Sequence, residues 1–156
     1  MSPPGDGPPA PLAFHASAVA LGPAHDFGVL IEGPSGSGKS ALALQLIAFG
    51  ARLVADDRVR IVLRQDGQPQ LLAPERLAGV IEARGAGLIR VPHLAAAPLR
   101  LVVDMGVPEP ARLPEPAWRE MLGARIRYLR RVDGPHFAGT IVALSNGEWW
   151  HDEQEQ

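Results

Sequence analysis

Residues 33–40 read GPSGSGKS, and Lys39 within them is the only lysine of a 156-residue chain that carries fourteen arginines. The run Gly33-Pro34-Ser35-Gly36-Ser37-Gly38-Lys39-Ser40 fits the pattern G-x-x-x-x-G-K-[ST]. Each part of that pattern has a physical task. Glycines let backbone N–H groups turn inward around phosphate oxygens, and the N-terminus of a following helix adds its dipole. Lysine brings a compact charge on a flexible stem, and Ser40 offers a hydroxyl to Mg2+. Arginine's planar fork is a poor substitute in a loop closed around phosphates. A chain that uses arginine everywhere else therefore keeps its lysine here. The chemistry indicated is the binding of a nucleoside triphosphate.

Acids follow downstream. Asp56-Asp57 ends the apolar run RLVADD (52–57), early for the acid that usually serves such a loop. A short helical crossover predicts two strand ends side by side, with one carboxylate facing the terminal phosphate. Adjacent acids on an extended chain point to opposite sides, so one of the pair acts directly, and spacing leaves open which. Glu82 and Arg84 in VIEARGAG share a face if extended. A carboxylate for metal beside a guanidinium for phosphate would supply the second half of a phosphoryl-transfer site; the plainer reading is a surface ion pair. His15 precedes the loop, and spacing alone does not raise it above His25, His93 or His136.

Composition narrows the alternatives. A hydrophobic fraction of 46% at this length fits one globular domain with a sizeable core. No apolar run approaches the roughly 20 residues of a membrane span. The net charge of −2 makes no case for nucleic acid. Without cysteine there are no disulfides or thiolate metal sites, which suits a cytoplasmic address. The opening MSPPGDGPPAPL (1–12) lacks the charged and apolar regions of a signal peptide, and its Pro/Gly content reads as a disordered leader.

The loop needs a scaffold. FGVLIEG (27–33) predicts a buried strand leading into it, and SALALQLIAF (40–49) a helix leaving it, ended by Gly50. FHASAVALG (14–22) reads as an edge strand. RVRIVLRQ (58–65) and PQLLAP (69–74) flank the hairpin signal Asp66-Gly67. Residues 77–92 read as strand, loop and strand, LRLVVDM (99–105) as another buried strand, and VPEPARLPEP (107–116) as a surface connector. ARIRYLRRV (124–132) alternates like an exposed strand, and FAGTIVALS (137–145) fits a short helix or strand.

Taken together, HASAVAL, GVLIEGPSGSGKS, ARLVADDRVRI and GVIEARGAGLIRVP resemble HPr kinase/phosphorylase, in the short form that lacks the N-terminal domain. The resemblance covers about residues 13–92, and VADDRV and IEARGAG discriminate it from other phosphate-loop ATPases. It implies an α/β fold: a P-loop, phosphoenolpyruvate-carboxykinase-like core with a mixed β-sheet and few helices. The kinase domain would run over 13–146, between the leader 1–12 and a polar tail 147–156. The implied activity is ATP- and Mg2+-dependent phosphorylation of a serine on an HPr-like phosphocarrier, with phosphorolysis of that phosphoserine, in a hexameric homo-oligomer.

Carried over by position, Gly33 to Ser40 would hold the nucleotide, with Lys39 on the phosphates and Ser40 on Mg2+. One of Asp56 and Asp57 would take the serine proton, with His15 tuning it. Glu82 resembles a second Mg2+ ligand, Arg84 a residue needed in both directions, and Arg112 the family's later catalytic arginine. Ala41 departs from the acid usual after GKS, and the phosphorolysis loop has only Arg125, Arg127, Arg130 and Arg131 as counterparts. Two other readings share the site: a kinase for a small hydroxylated molecule, and a nucleotide-sensing module without phosphotransfer.

Overall fold

The computed structural model describes residues 9–150. The chain order is β1 (Leu12–Phe14), β2 (Ala16–Leu21), β3 (Phe27–Glu32), α1 (Lys39–Ala48), β4 (Arg52–Ala55), β5 (Val59–Leu63) and β6 (Pro69–Leu72). It continues with β7 (Val80–Ala83), β8 (Gly87–Arg90), β9 (Ala96–Pro108), β10 (Ala117–Met121), β11 (Ala124–Arg131) and α2 (His136–Asn146). This is a mixed α/β fold. Nine strands form one sheet, ordered β1-β5-β6-β9-β3-β2-β4, with β11 also paired to β9 and β10 to β11. β3 and β11 run parallel to β9, while β2 is antiparallel to both β3 and β4.

The two helices cover one face of the central strands. Leu42 and Leu46 of α1 and Phe137 and Ile141 of α2 pack there on Val19, Val29, Ile31, Leu101 and Val103. On the opposite face Ala16, Ala18, Ala20 and Leu30 meet Ile61 and Leu71 from the β5–β6 hairpin, with Met121 and Ile126 from β10 and β11. Alternate residues of each central strand thus enter different cores, which is why these strands read as continuous apolar runs. Burying both faces supplies the main favourable term in folding, at roughly 25 cal/mol per Å2 of apolar surface. Gly28 is required where β3 crosses β9 and β6: a Cβ there would collide with the Pro98 carbonyl and the Leu71 side chain.

Several sequence expectations need correction. The 14–22 segment is not an edge strand: β2 lies between β3 and β4, with all six residues buried. Its small alanines let the β5 hairpin pack closely, and they weaken the apolar signal that would have marked an interior strand. The strands flanking the crossover are not neighbours either, because β2 is inserted between β3 and β4. The strand read at 99–105 extends over 96–108 and takes the first part of the presumed connector. β10 was not anticipated, and β11 is half-buried through Ile126 rather than exposed. Leu12, placed in the leader, pairs with Ile61; residues 1–8 of that leader and 151–156 of the tail lie outside the described residues. Trp149, placed in the polar tail, packs against the helical core.

Candidate functional site

β3 ends at Glu32 and the chain turns through residues 33–38 into α1, whose N-cap is Gly38. Gly33 has φ 146°, and a Cβ on it would stand 2.6 Å from Ser37 Oγ and 3.1 Å from the Gly106 nitrogen. Only glycine lets the loop close this tightly against the end of β9. The Ser37 hydroxyl is buried inside the turn and has no hydrogen-bond partner among the described residues. Lys39 Nζ donates to the Gly33 carbonyl at 2.6 Å and to the Pro34 carbonyl at 3.2 Å, so the ammonium lies across the loop it belongs to. The loop places the N-terminus of α1 and the Lys39 ammonium together, and both favour an anion.

Asp56 and Asp57 follow β4, and the structure gives them different surroundings. Asp56 is partly buried and is a hub. Its Oδ1 accepts from Ser40 Oγ at 2.8 Å and from Ser17 Oγ at 2.8 Å, and its Oδ2 from the Glu82 amide at 3.2 Å. Asp57 turns the other way, with 83% of its side chain exposed, and its Oδ1 stands 3.9 Å from His15 Nδ1. It also adopts φ 76°, a left-handed conformation uncommon for a residue with a Cβ and tolerated by aspartate. That backbone twist lets adjacent carboxylates serve separate neighbours.

Glu82 lies on β7, joined to the site by its backbone bond to Asp56, and its side chain is exposed. Arg84 follows at the tip of the β7–β8 hairpin, also exposed. Arg112 sits exposed in the 109–116 connector and makes no side-chain hydrogen bond or ion pair among the described residues. The loop, Lys39, Ser40, Asp56, Asp57, His15 and Glu82 are therefore linked by contacts or by direct sequence neighbours, whereas Arg84 and Arg112 are not.

Mg2+ takes hard oxygen ligands, typically one or two carboxylates plus substrate phosphates, and keeps several waters. Ser40 Oγ and Asp56 Oδ1, 2.8 Å apart at the mouth of the loop, provide such oxygens. No group of three or more His, Cys, Asp or Glu converges on a metal position among the described residues. A cation shared with phosphate does not need one, and the donor set fits.

A second polar set supports the loop, and apart from Arg131 it was not read from the sequence. Glu32, at the end of β3, is ion-paired with Arg119 of β10. Opposite it in the sheet register, Asp104 accepts from Tyr128 Oη at 2.7 Å and from the Gly106 amide at 2.8 Å. Arg131 donates from Nη1 to the Met105 carbonyl at 2.8 Å and from Nε to Asp133 at 2.9 Å. Burial alone would lower the Arg119 pKa, but Glu32, and secondarily Tyr128, raise it overall. Tyr128 is raised by burial and by its bond to Asp104. Of the basic set on β11, Arg125 and Arg127 stack on Trp118, Arg127 also stacks on Trp149, and burial lowers the Arg127 pKa. Ser17 could have been noticed as the one polar residue inside ASAVAL; the others become visible only when β9, β10 and β11 are assembled.

A family profile described as the HPr Serine kinase C-terminal domain matches residues 13–97. An HPr kinase/phosphorylase of Bacillus subtilis is 51% identical over 87 residues, covering 54% of this chain and 26% of the relative. That of Brevibacillus brevis is 41% identical over 95 residues, covering 56% and 30%. The chain thus spans under a third of the length of these curated relatives. A solved structure described as the Hpr(Ser) kinase/phosphatase from Coxiella burnetii aligns with TM-score 0.68 at 26% identity, over 85% of this chain and 87% of that one. Among the described residues, no helix is long and apolar enough to cross a membrane.

Proposed function

Because the chain belongs to the HPr serine kinase C-terminal domain family, we propose that it is an ATP- and Mg2+-dependent kinase that phosphorylates a serine on an HPr-like phosphocarrier protein. The observation that carries this reading is the split between the two aspartates: Asp56 bonded to Ser40 at the loop, Asp57 exposed beside His15. The core is then of the P-loop, phosphoenolpyruvate-carboxykinase-like kind, with the kinase domain over residues 13–146.

In this reading the amides of residues 33–40 and the Lys39 ammonium hold the triphosphate. Ser40 and Asp56, with Glu82 nearby, would hold Mg2+, which neutralises charge on the phosphates when bound. Ser17 and the Glu82 amide keep the Asp56 carboxylate oriented toward Ser40. Asp57 is the base. As the acceptor serine Oγ bonds to the γ-phosphorus, the bond to the bridging oxygen of ADP breaks and the serine proton passes to the Asp57 carboxylate. His15 fixes that carboxylate's direction. Little is demanded of the base, because the hydroxyl loses its proton late in a loose transition state, and positioning supplies most of the acceleration. Protonated Asp57 returning its proton to serine is the corresponding step in phosphorolysis. Arg84, at the tip of an exposed hairpin, is available to an incoming protein acceptor, and Arg112 is exposed in its connector.

A homo-oligomer, hexameric in the family this chain resembles, is supported by apolar side chains left in the open: Leu77 is 68% and Leu88 69% exposed. Sedimentation of the full chain tests that part. The enzymatic reading is tested by transfer of labelled γ-phosphate from ATP to purified HPr. Label on an HPr serine, dependent on Mg2+, is expected. Label appearing only on free metabolites would establish a small-molecule kinase instead, and saturable ATP binding with no transfer to either would establish a sensing module.

A further inference from the structure

We propose that the nucleoside end of the bound nucleotide lies in a cleft between α1 and the 131–134 turn, where Gln45 and Asp133 take its ribose hydroxyls. The inference rests on the reading of residues 33–40 as a phosphate cradle and assigns the part of the ligand that the cradle does not hold.

Ser40 faces Asp56, so the transferred phosphate and its acceptor occupy that side of α1. In-line transfer requires that side to stay clear, and the rest of the nucleotide must leave the loop elsewhere. Gly38, Ala41, Leu42 and Gln45 recur at helical spacing and form a different stripe of the same helix. That stripe is one wall of a cleft of about 160 Å3 beginning at the last glycine of the loop. Arg131, Asp133 and Phe137 stand on the other wall.

The cleft is open and smaller than the roughly 300–1,000 Å3 of a whole-ligand pocket, a size for part of a nucleotide, and it joins apolar residues to a few polar groups. Leu42, Met105 and Phe137, all nearly buried in the helical core, form its apolar floor, and Ala41 has no side chain long enough to obstruct the entrance. Arg131 is held by the Met105 carbonyl and by one oxygen of Asp133. The second Asp133 oxygen and the Gln45 amide remain for hydroxyl donors, and an ionised carboxylate accepts two such bonds readily. Binding at this position also explains a contact that the phosphate chemistry does not use, the Arg131–Asp133 pair, which sets the carboxylate's angle to the cleft.

The test is calorimetric titration of the full chain with magnesium–ATP and with magnesium–tripolyphosphate, which shares the phosphates and lacks the nucleoside. Wild-type protein should prefer ATP by about tenfold or more. Gln45→Ala and Asp133→Ala should each weaken ATP about threefold to tenfold, the size of one lost hydrogen bond, and leave tripolyphosphate within about twofold. Ala41→Leu, which fills the cleft without adding charge, should do the same. All three positions are exposed, so the variants should keep the wild-type melting temperature. Equal affinity of wild-type protein for the two ligands, or variants that weaken both alike, would overturn the cleft assignment while leaving the phosphate cradle intact. Failure of either ligand to bind wild-type protein would remove the cradle reading itself.

Discussion

Residues 13–97 and residues 98–150 contribute different kinds of group to the molecule. The family profile matches the first region and stops at its end, yet the Coxiella structure aligns over 85% of the chain. The first region holds the groups whose chemistry has few substitutes: an ammonium in a closed loop, a hydroxyl with a carboxylate 2.8 Å away, a second carboxylate left open. The second holds the loop from outside, through Tyr128–Asp104, Arg119–Glu32 and the Arg131 bond to the Met105 carbonyl. Such props need only a donor and an acceptor at the right separation, and many residue pairs can provide that. Under the proposed function, contact with phosphate fixes residue identity, while support fixes only shape and polarity.

That contrast can be broken most directly at Lys39. Lys39→Ala should lower phosphoryl transfer by about 100-fold or more, the scale of losing a charged group preorganised for transferred phosphate. Lys39→Arg should also be impaired; wild-type rates in that variant would refute the account of the lone lysine. Next come the aspartates. Asp57→Asn should lower transfer by about 10²- to 10⁴-fold, the usual contribution of a general base, with magnesium–ATP affinity retained in calorimetry. Asp56→Asn should instead weaken magnesium-dependent ATP binding, and identical behaviour of the two variants would erase their division of labour.

The comparison is sharpened by stability measurements. Leu30→Ala in the first region and Leu101→Ala in the second remove fully buried side chains. Each should cost about 2–5 kcal/mol in urea denaturation, since the packing term does not distinguish regions that differ so much in chemistry. A negligible loss at Leu101 would mean that the second region is not part of the cooperative core.

The smallest effect concerns pH. The Tyr128 pKa is raised in the fold by burial and by its bond to Asp104. The folded state therefore keeps the phenol proton to higher pH than the unfolded chain, where it leaves near pH 10. Stability from this group is complete below about pH 10 and declines as pH rises through the higher folded value. Tyr128→Phe should remove that alkaline decline in denaturation curves collected on either side of pH 10, and an unchanged slope would place its origin elsewhere.

Much of the first region was legible before any fold was known. The loop, its flanking strand and helix, and the β5–β6 hairpin at Asp66-Gly67 follow from local backbone rules and hydrophobic period, which act over a few residues. Asp56 and Asp57 do meet different neighbours, as the sequence suggested, but through a bend with a left-handed Asp57 rather than through an extended chain. β2 was legible as a strand but not as an interior one, because its alanines pack closely without a strong apolar signature. β10 was hidden by the proline-rich segment before it and by the alternating arginine, tryptophan and glutamate that make it look like solvent-exposed chain.

The amino-acid order alone settled that a glycine-rich turn carrying the single lysine lies between a strand and a helix, because glycine spacing and hydrophobic period act over a few residues. Only the assembled sheet decided which aspartate meets Ser40. Inserting β2 between β3 and β4 brings Ser17 to Asp56 from a position 39 residues earlier in the chain. Pairings between strands depend on long-range closure of the chain around two cores, and no local pattern encodes that distance.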